Sequence, residues 1–202
     1  MGIVHSFLTS ATTPYPNRCN TLKKNPAMNK ILMFLTVLSF TNCNSQMEFN
    51  LDKTLKIERR DMIVMEIDTY LNEKSEYGEK IEKLNSSQRT FLFVENLERE
   101  INNGGFNQFY FNSSGDFSQE TLNALLEIGA EKTVKIVENA NSEFDNGNVP
   151  KDRIERQNKL ELIEEKAEEN WEKCDTEFYE YQDDLTELLI AFILKNKADF
   201  EK

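Results

Sequence analysis

Two carboxylates, Glu100 and Asp116, flank the stretch NNGGFNQFYFNSSG at 102–115. Acids on either side of a turn are an arrangement that general acid–base catalysis uses. Helix capping and charge balance call for the same residues, so an enzyme reading and a structural reading stand side by side. Further on, Glu164/Glu168 and Glu165/Glu169 are four residues apart. On a helix that spacing sets two carboxylates on one face, as a hard cation such as calcium would need. No EF-hand loop accompanies them, and a solvated face is the plainer reading. Cys174 falls on an apolar stripe and reads as a small buried hydrophobe. The single histidine, His5, lies upstream of everything that looks folded. Without histidine, Ser-His-Asp and Cys-His catalysis, the common zinc sites and Glu-x-x-His di-iron centres are excluded from the folded part. Gly104-Gly105 lacks the GxxxxGK[ST] context of a phosphate loop. No catalytic residue, metal or cofactor is therefore expected.

The elements that must position these side chains are helices. Ile63, Val64, Ile67, Tyr70 and Leu71 follow one helical face, and Gly78 interrupts it. Asn85 with Gln88 three residues later has the form of a capping box. Thr90, Val94, Leu97 and Ile101 carry the next stripe, which Asn102-Asn103-Gly104-Gly105 ends. A glycine pair tolerates positive φ and can redirect the chain. Phe106, Phe109 and Tyr110 then recur as one face of a short helix, and burying each would contribute roughly 1.5–3 kcal/mol. Asn103, Asn107, Gln108 and Asn112 are expected to bond backbone groups that the turn leaves free. The rival reading makes this segment an aromatic and amide pocket for a small ligand, beside Glu100, Asn103, Gln108 and Asp116.

Asp116 or Ser118 is expected to cap the next helix, with Leu122, Leu125, Leu126 and Gly129 on one face. Val137, Ala140 and Phe144 follow on another. Residues 145–150 read as a loop, and Pro150 suits a helix's first turn. Leu160, Ile163, Ala167, Trp171, Cys174 and Phe178 form the clearest stripe. Leu185, Leu188, Leu189 and Phe192 form the last. No segment alternates with period two for long. The expected fold is all-α: a compact single-domain bundle of about six or seven helices over residues 54–202.

The first fifty residues differ. Residues 1–27 read as an upstream extension, with Met28 as the start. From there, "MNKILMFLTVLSFTNC" combines Lys30, an apolar run from Ile31 to Phe40, and Cys43. The run is too short to span a membrane and fits a secretory signal over 28–42. A cysteine directly after it resembles a bacterial lipobox, although Phe40, Thr41 and Asn42 depart from its usual residues. Cys43 is the expected lipidated N-terminus, and 43–53 a polar tether. The chain holds 24 bases and 36 acids, net −12. Residues 1–42 contain four of those bases, Arg18, Lys23, Lys24 and Lys30, and no acid, so the chain from Cys43 onward carries −16. Such a surface repels nucleic acid and anionic lipid. It leaves a protein partner for the acidic face, and membrane contact through the lipid alone. Between Glu161 and Glu187 there are twelve acids and two lysines. Read as one helix of about 40 Å, that stretch approaches the charge of a single DNA strand and falls well short of the duplex.

Several of these residues also carry a resemblance. Glu100, Asn102, Asn103, Gly104, Gly105, Phe106, Gln108, Phe109 and Asn112, followed by Ile128-Gly129-Ala130 and then Asp175, Phe178 and Tyr179, resemble the signature of the DNA-mimic-protein C-terminal domain family. The resemblance covers about residues 85–197. It implies a compact helical bundle. It also implies kinship with a protein that imitates the charge pattern of DNA and binds a transcriptional regulator, in a family whose members mostly have no assigned activity. The readings that follow are an exported, lipid-anchored interaction module, a cytoplasmic DNA mimic, and a carboxylate-dependent enzyme.

Overall fold

The computed structural model describes residues 49–201. The expected extension, signal segment and Cys43 lie outside them. Eight α-helices and no strand are present among the described residues: α1 (Leu51–Thr54), α2 (Arg60–Lys74), α3 (Ser86–Phe111), α4 (Ser118–Ile128), α5 (Glu131–Asn141), α6 (Arg153–Tyr179), α7 (Leu185–Lys195) and α8 (Lys197–Phe200). The all-α expectation holds, with α1 and α8 as single-turn additions.

Helices α3 and α6, of 26 and 27 residues, form the spine and pack along each other. Helices α4 and α5 close one side, and α2 and α7 pair on the other. The start of α3 follows the sequence: Asn85 Oδ1 accepts from the Gln88 amide at 3.0 Å, and Gln88 Oε1 accepts from the Asn85 amide at 3.3 Å. Helix α8 completes that end. The Asp199 carbonyl accepts from Asn85 Nδ2 (2.7 Å) and Gln88 Nε2 (2.8 Å), and Ser87 Oγ donates to the Asp199 carboxylate. Phe200 is fully buried beside Phe91 and Phe192.

Five expectations need correction. Neither Asp116 nor Ser118 caps α4: the helix starts at Ser118 behind Phe117 with no side-chain cap, and Asp116 is taken up by Arg153 and Arg156. Leu126 is 57% exposed; Thr121, Ala124, Leu125 and Ile128 form the inner face of α4, and position 126 falls about 100° away from it. Helix α6 starts at Arg153 with Asp152 as its cap, so Pro150 precedes the helix rather than opening it. The segment read as a tether contains α1, whose Leu51 is in the core, and Phe49 stacks on Tyr70 with ring centroids 4.0 Å apart. The acidic stretch is not one helix: α6 ends at Tyr179, and three of the later acids serve the fold. Asp183 accepts from the Lys132 and Thr133 amides, both at 2.8 Å, where α5 begins without a side-chain cap of its own. Asp184 caps α7, and Glu187 pairs with Arg60.

Candidate functional site

The glycine pair ends one helical segment and starts another, as expected, with the two halves of α3 meeting at a kink. Gly104 is extended, and Gly105 has φ +72 and ψ −172. No other residue fits at Gly105: its φ is left-handed, and a Cβ there would lie 2.2 Å from the Asp175 carboxylate. The chain resumes as helix through Phe111.

Such a break strands a carbonyl before it and an amide after it, and stranded buried groups are costly. Helix α6 supplies both partners. Asp175 Oδ1 accepts from the Phe106 amide at 2.8 Å, and the Tyr179 hydroxyl donates to the Ile101 carbonyl at 2.8 Å. Glu100 ties the two halves together: its carboxylate accepts from Gln108 Nε2 (2.8 Å), Asn112 Nδ2 (2.8 Å) and Ser114 Oγ (2.9 Å).

The amides therefore do different work from that expected. Gln108 and Asn112 bond to Glu100, Asn107 bonds to Glu164 at 2.9 Å, and Asn102 bonds to the Tyr181 hydroxyl at 2.7 Å. Asn103 is exposed, and its side chain makes no hydrogen bond among the described residues. The freed backbone groups are met by side chains from another helix because α6 lies against the break.

The aromatics are core. Phe106, Phe109 and Tyr110 are fully buried, and Tyr110 packs edge-on to Phe144 and against Trp171. The Tyr110 hydroxyl donates to Asn141 Oδ1 at 2.7 Å. The burial of Phe106, Phe109 and Tyr110 is what the structural reading of the segment expects of these rings.

Below the end of α3 sits Arg156, which sequence reasoning missed. Its side chain is 0% exposed. Its guanidinium donates to the carbonyls of Tyr110 (2.6 Å), Asn112 (2.9 Å) and Pro150 (2.9 Å), and to Asp116 Oδ1 (2.6 Å). The signal was present: Arg156 stands four residues before Leu160 on the inner stripe of α6.

Glu100 and Asp116 do line one cleft, of about 340 Å³, together with Arg99 and Arg153; Asn103 and Gln108 do not. Burial would raise the Asp116 carboxyl, but hydrogen bonds from Arg153 and Arg156 outweigh it and hold the group below the usual carboxylate range. A carboxylate whose pKa two arginines lower is a charge clamp, and its shift runs away from the value a general acid or base needs near neutral pH. Cys174 is buried, with Asn139 Nδ2 at 3.3 Å, and burial pushes its thiol up to about 11. It is not a poised nucleophile.

On α6, Glu161, Glu164, Glu165, Glu168 and Glu172 form one exposed flank. With Asn107, Trp171 and Asp175 they line a groove of about 460 Å³. The Glu164/Glu168 pair is on this flank, and Glu169 lies beside it. No cluster of three or more potential metal ligands occurs among the described residues.

Compared with known proteins, residues 82–196 match a family model described as DMP19-like protein. No curated protein and no solved structure matches the chain.

Proposed function

Because this chain belongs to the DMP19-like protein family, we propose that it is a protein-binding module of the DNA-mimic-like kind, with the acidic flank of α6 as its contact surface. In this reading a lipid on Cys43 holds it at the cell envelope, and it has no catalytic activity. The observation that carries the proposal is the flank itself. Its carboxylates project from one rigid helix, and Glu161, Glu165, Glu168 and Glu172 have no basic partner among the described residues.

The same flank argues against imitation of a duplex. From Glu161 to Tyr179, eight acids and two lysines share one helix. Nineteen helical residues cover about 28 Å, over which duplex DNA sets about sixteen phosphates. The helix carries a net −6, under half of that density. A basic protein of the envelope suits the surface better than a regulator shaped to a duplex.

The test is in-cell cross-linking of the full-length protein, followed by binding of the captured partner in purified form. The expected partner is basic. Its affinity falls as salt rises from about 0.05 to about 0.5 M, and it is lost in Glu165→Lys/Glu168→Lys/Glu172→Lys. A cytoplasmic pool of the native protein that displaces operator DNA from a regulator would replace this reading with the DNA-mimic one.

A further inference from the structure

The cleft beside Glu100 has Tyr77 and Gly78 on its rim. Glu76, Tyr77 and Gly78 have φ of +52, +56 and +89, three successive residues in the left-handed region. Two of them carry a Cβ, and such residues avoid that region for steric reasons. The turn is closed by the Tyr77 amide on the Asn72 carbonyl (2.7 Å) and the Lys80 amide on the Ser75 carbonyl (2.8 Å). Glycine would serve position 77 with less strain. Instead a tyrosine stands there, 78% exposed, and its side chain makes no hydrogen bond or ring contact among the described residues. Glu76 pairs with Lys80 (3.1 Å) and Lys83, and Ser75 Oγ accepts from the Gly78 amide (3.2 Å), but none of these bonds uses the Tyr77 ring; strained residues of this kind cluster at binding sites.

Beneath the rim, Phe93 and Phe117 stack with centroids 5.0 Å apart and both line the cleft. Around them the two arginines are already paired, while the Glu79 side chain makes no ion pair among the described residues. Arg99 bonds to Asp68 and Asn96, and Arg153 to Asp116. A charged ligand would have to break these pairs or face a like charge. A hydroxyl would not, because it accepts from one group while donating to another. Spare capacity of both kinds remains: Arg99 Nε, Arg153 Nη1 and Asn96 Nδ2 can donate, and Asn72 Oδ1 and Glu100 Oε1 can accept. The cavity, about 340 Å³, lies at the small end of ligand pockets.

We propose that this cleft binds a small neutral carbohydrate, with Tyr77 stacking on the sugar ring and the Arg99, Arg153 and Glu100 side chains bonding its hydroxyls. The cleft shares no lining residue with the acidic groove of α6, so the two sites stand or fall separately.

The experiment titrates full-length protein with glucose, N-acetylglucosamine and their disaccharides, read by calorimetry and saturation-transfer NMR. At least one sugar is expected to bind with Kd of about 1 mM or tighter. Tyr77→Gly should weaken that binding at least tenfold while raising the melting temperature, an outcome a purely structural tyrosine would not give. Tyr77→Phe should keep binding, and Leu162→Ala, outside the cleft, should leave it unchanged. The proposal is overturned if no sugar in the panel binds below about 10 mM, if Tyr77→Gly binds like the native protein, or if inorganic phosphate displaces the sugar.

Discussion

Asp175 and Tyr179, one turn apart on α6, hold the two severed ends of α3: the carboxylate takes the Phe106 amide and the hydroxyl serves the Ile101 carbonyl. Two sequence motifs separated by some seventy residues thus complete one another. Tyr179→Phe should cost about 1 kcal/mol, the net value of one hydrogen bond. Asp175→Ala should cost about 1–3 kcal/mol, because it leaves an amide unmet. Urea unfolding of both single variants and the double should give a non-additive cycle, since the two bonds brace the same break. Simple additivity would show that the halves of α3 are held independently.

The glycines of the pair should respond unequally. Gly105→Ala meets both a left-handed φ and the Asp175 carboxylate, and should lower stability by more than about 1 kcal/mol. Gly104→Ala meets the Gln108 side chain, with Oε1 at 2.3 Å and Cβ at 3.0 Å, but has no left-handed φ to overcome. Chemical denaturation should rank Gly105→Ala as clearly worse, and equal losses would contradict the assigned geometry.

Removing the Phe106 ring tests whether the segment is core. Phe106→Ala should cost roughly 3–5 kcal/mol. If the melting temperature held while binding of some ligand vanished, the aromatic segment would be a pocket after all.

Arg156 should be irreplaceable. Arg156→Met leaves Asp116 with Arg153 alone and leaves the Tyr110 and Asn112 carbonyls without their donor, so a loss of about 3–5 kcal/mol is expected. Arg156→Lys should recover little of it, because one ammonium cannot reach carbonyls on several sides. Thermal melts of the two variants decide the matter; a lysine variant as stable as the native protein would sink it.

Stability should also carry a pH signature from Glu95. Burial pushes its carboxyl up to about 8, with Glu98 and Asp68 adding and Arg99 opposing. Its pKa is higher in the folded than in the unfolded state, so the folded state binds more protons between about 4.5 and about 8 and loses stability as pH rises through that window. Glu95→Gln should therefore stabilise by about 1 kcal/mol or more at pH 8 and change little at pH 4. A gain of the same size at both pH values would refute the role of this carboxyl.

Much of the scaffold was legible. The Asn85/Gln88 box, the Leu160 to Phe178 stripe and the glycine break are local signals, and each appears where spacing and backbone chemistry place it. The partners of the break were not legible. Asp175 and Tyr179 look like surface residues in sequence, because only the α3–α6 contact brings them to the stranded groups. The role of Arg156 was not legible because a buried arginine is rare, and its carbonyl partners come from two segments, 110–112 and 150–151. Leu126 misled in the other direction: leucine is common on helix surfaces, and Ala124 does the packing. Of the cleft, only Glu100 and Asp116 were legible; its rim depends on backbone angles at Glu76 and Tyr77 that side-chain patterns do not encode.

The latch between Asp199 and Asn85 bears on how this chain comes together in time. Residues 114 positions apart share that bond, and Phe200 closes the core beside Phe91. During synthesis α3 emerges long before the segment that seals its first turn, so its N-terminal end stays open to water until the last helices arrive. Contacts of such long separation are reached only after most loop-closure entropy has been lost, which slows folding. The domain should therefore persist as a loose helical chain while it is being made and snap shut late, a schedule that leaves an interval in which a chaperone can still handle it unfolded.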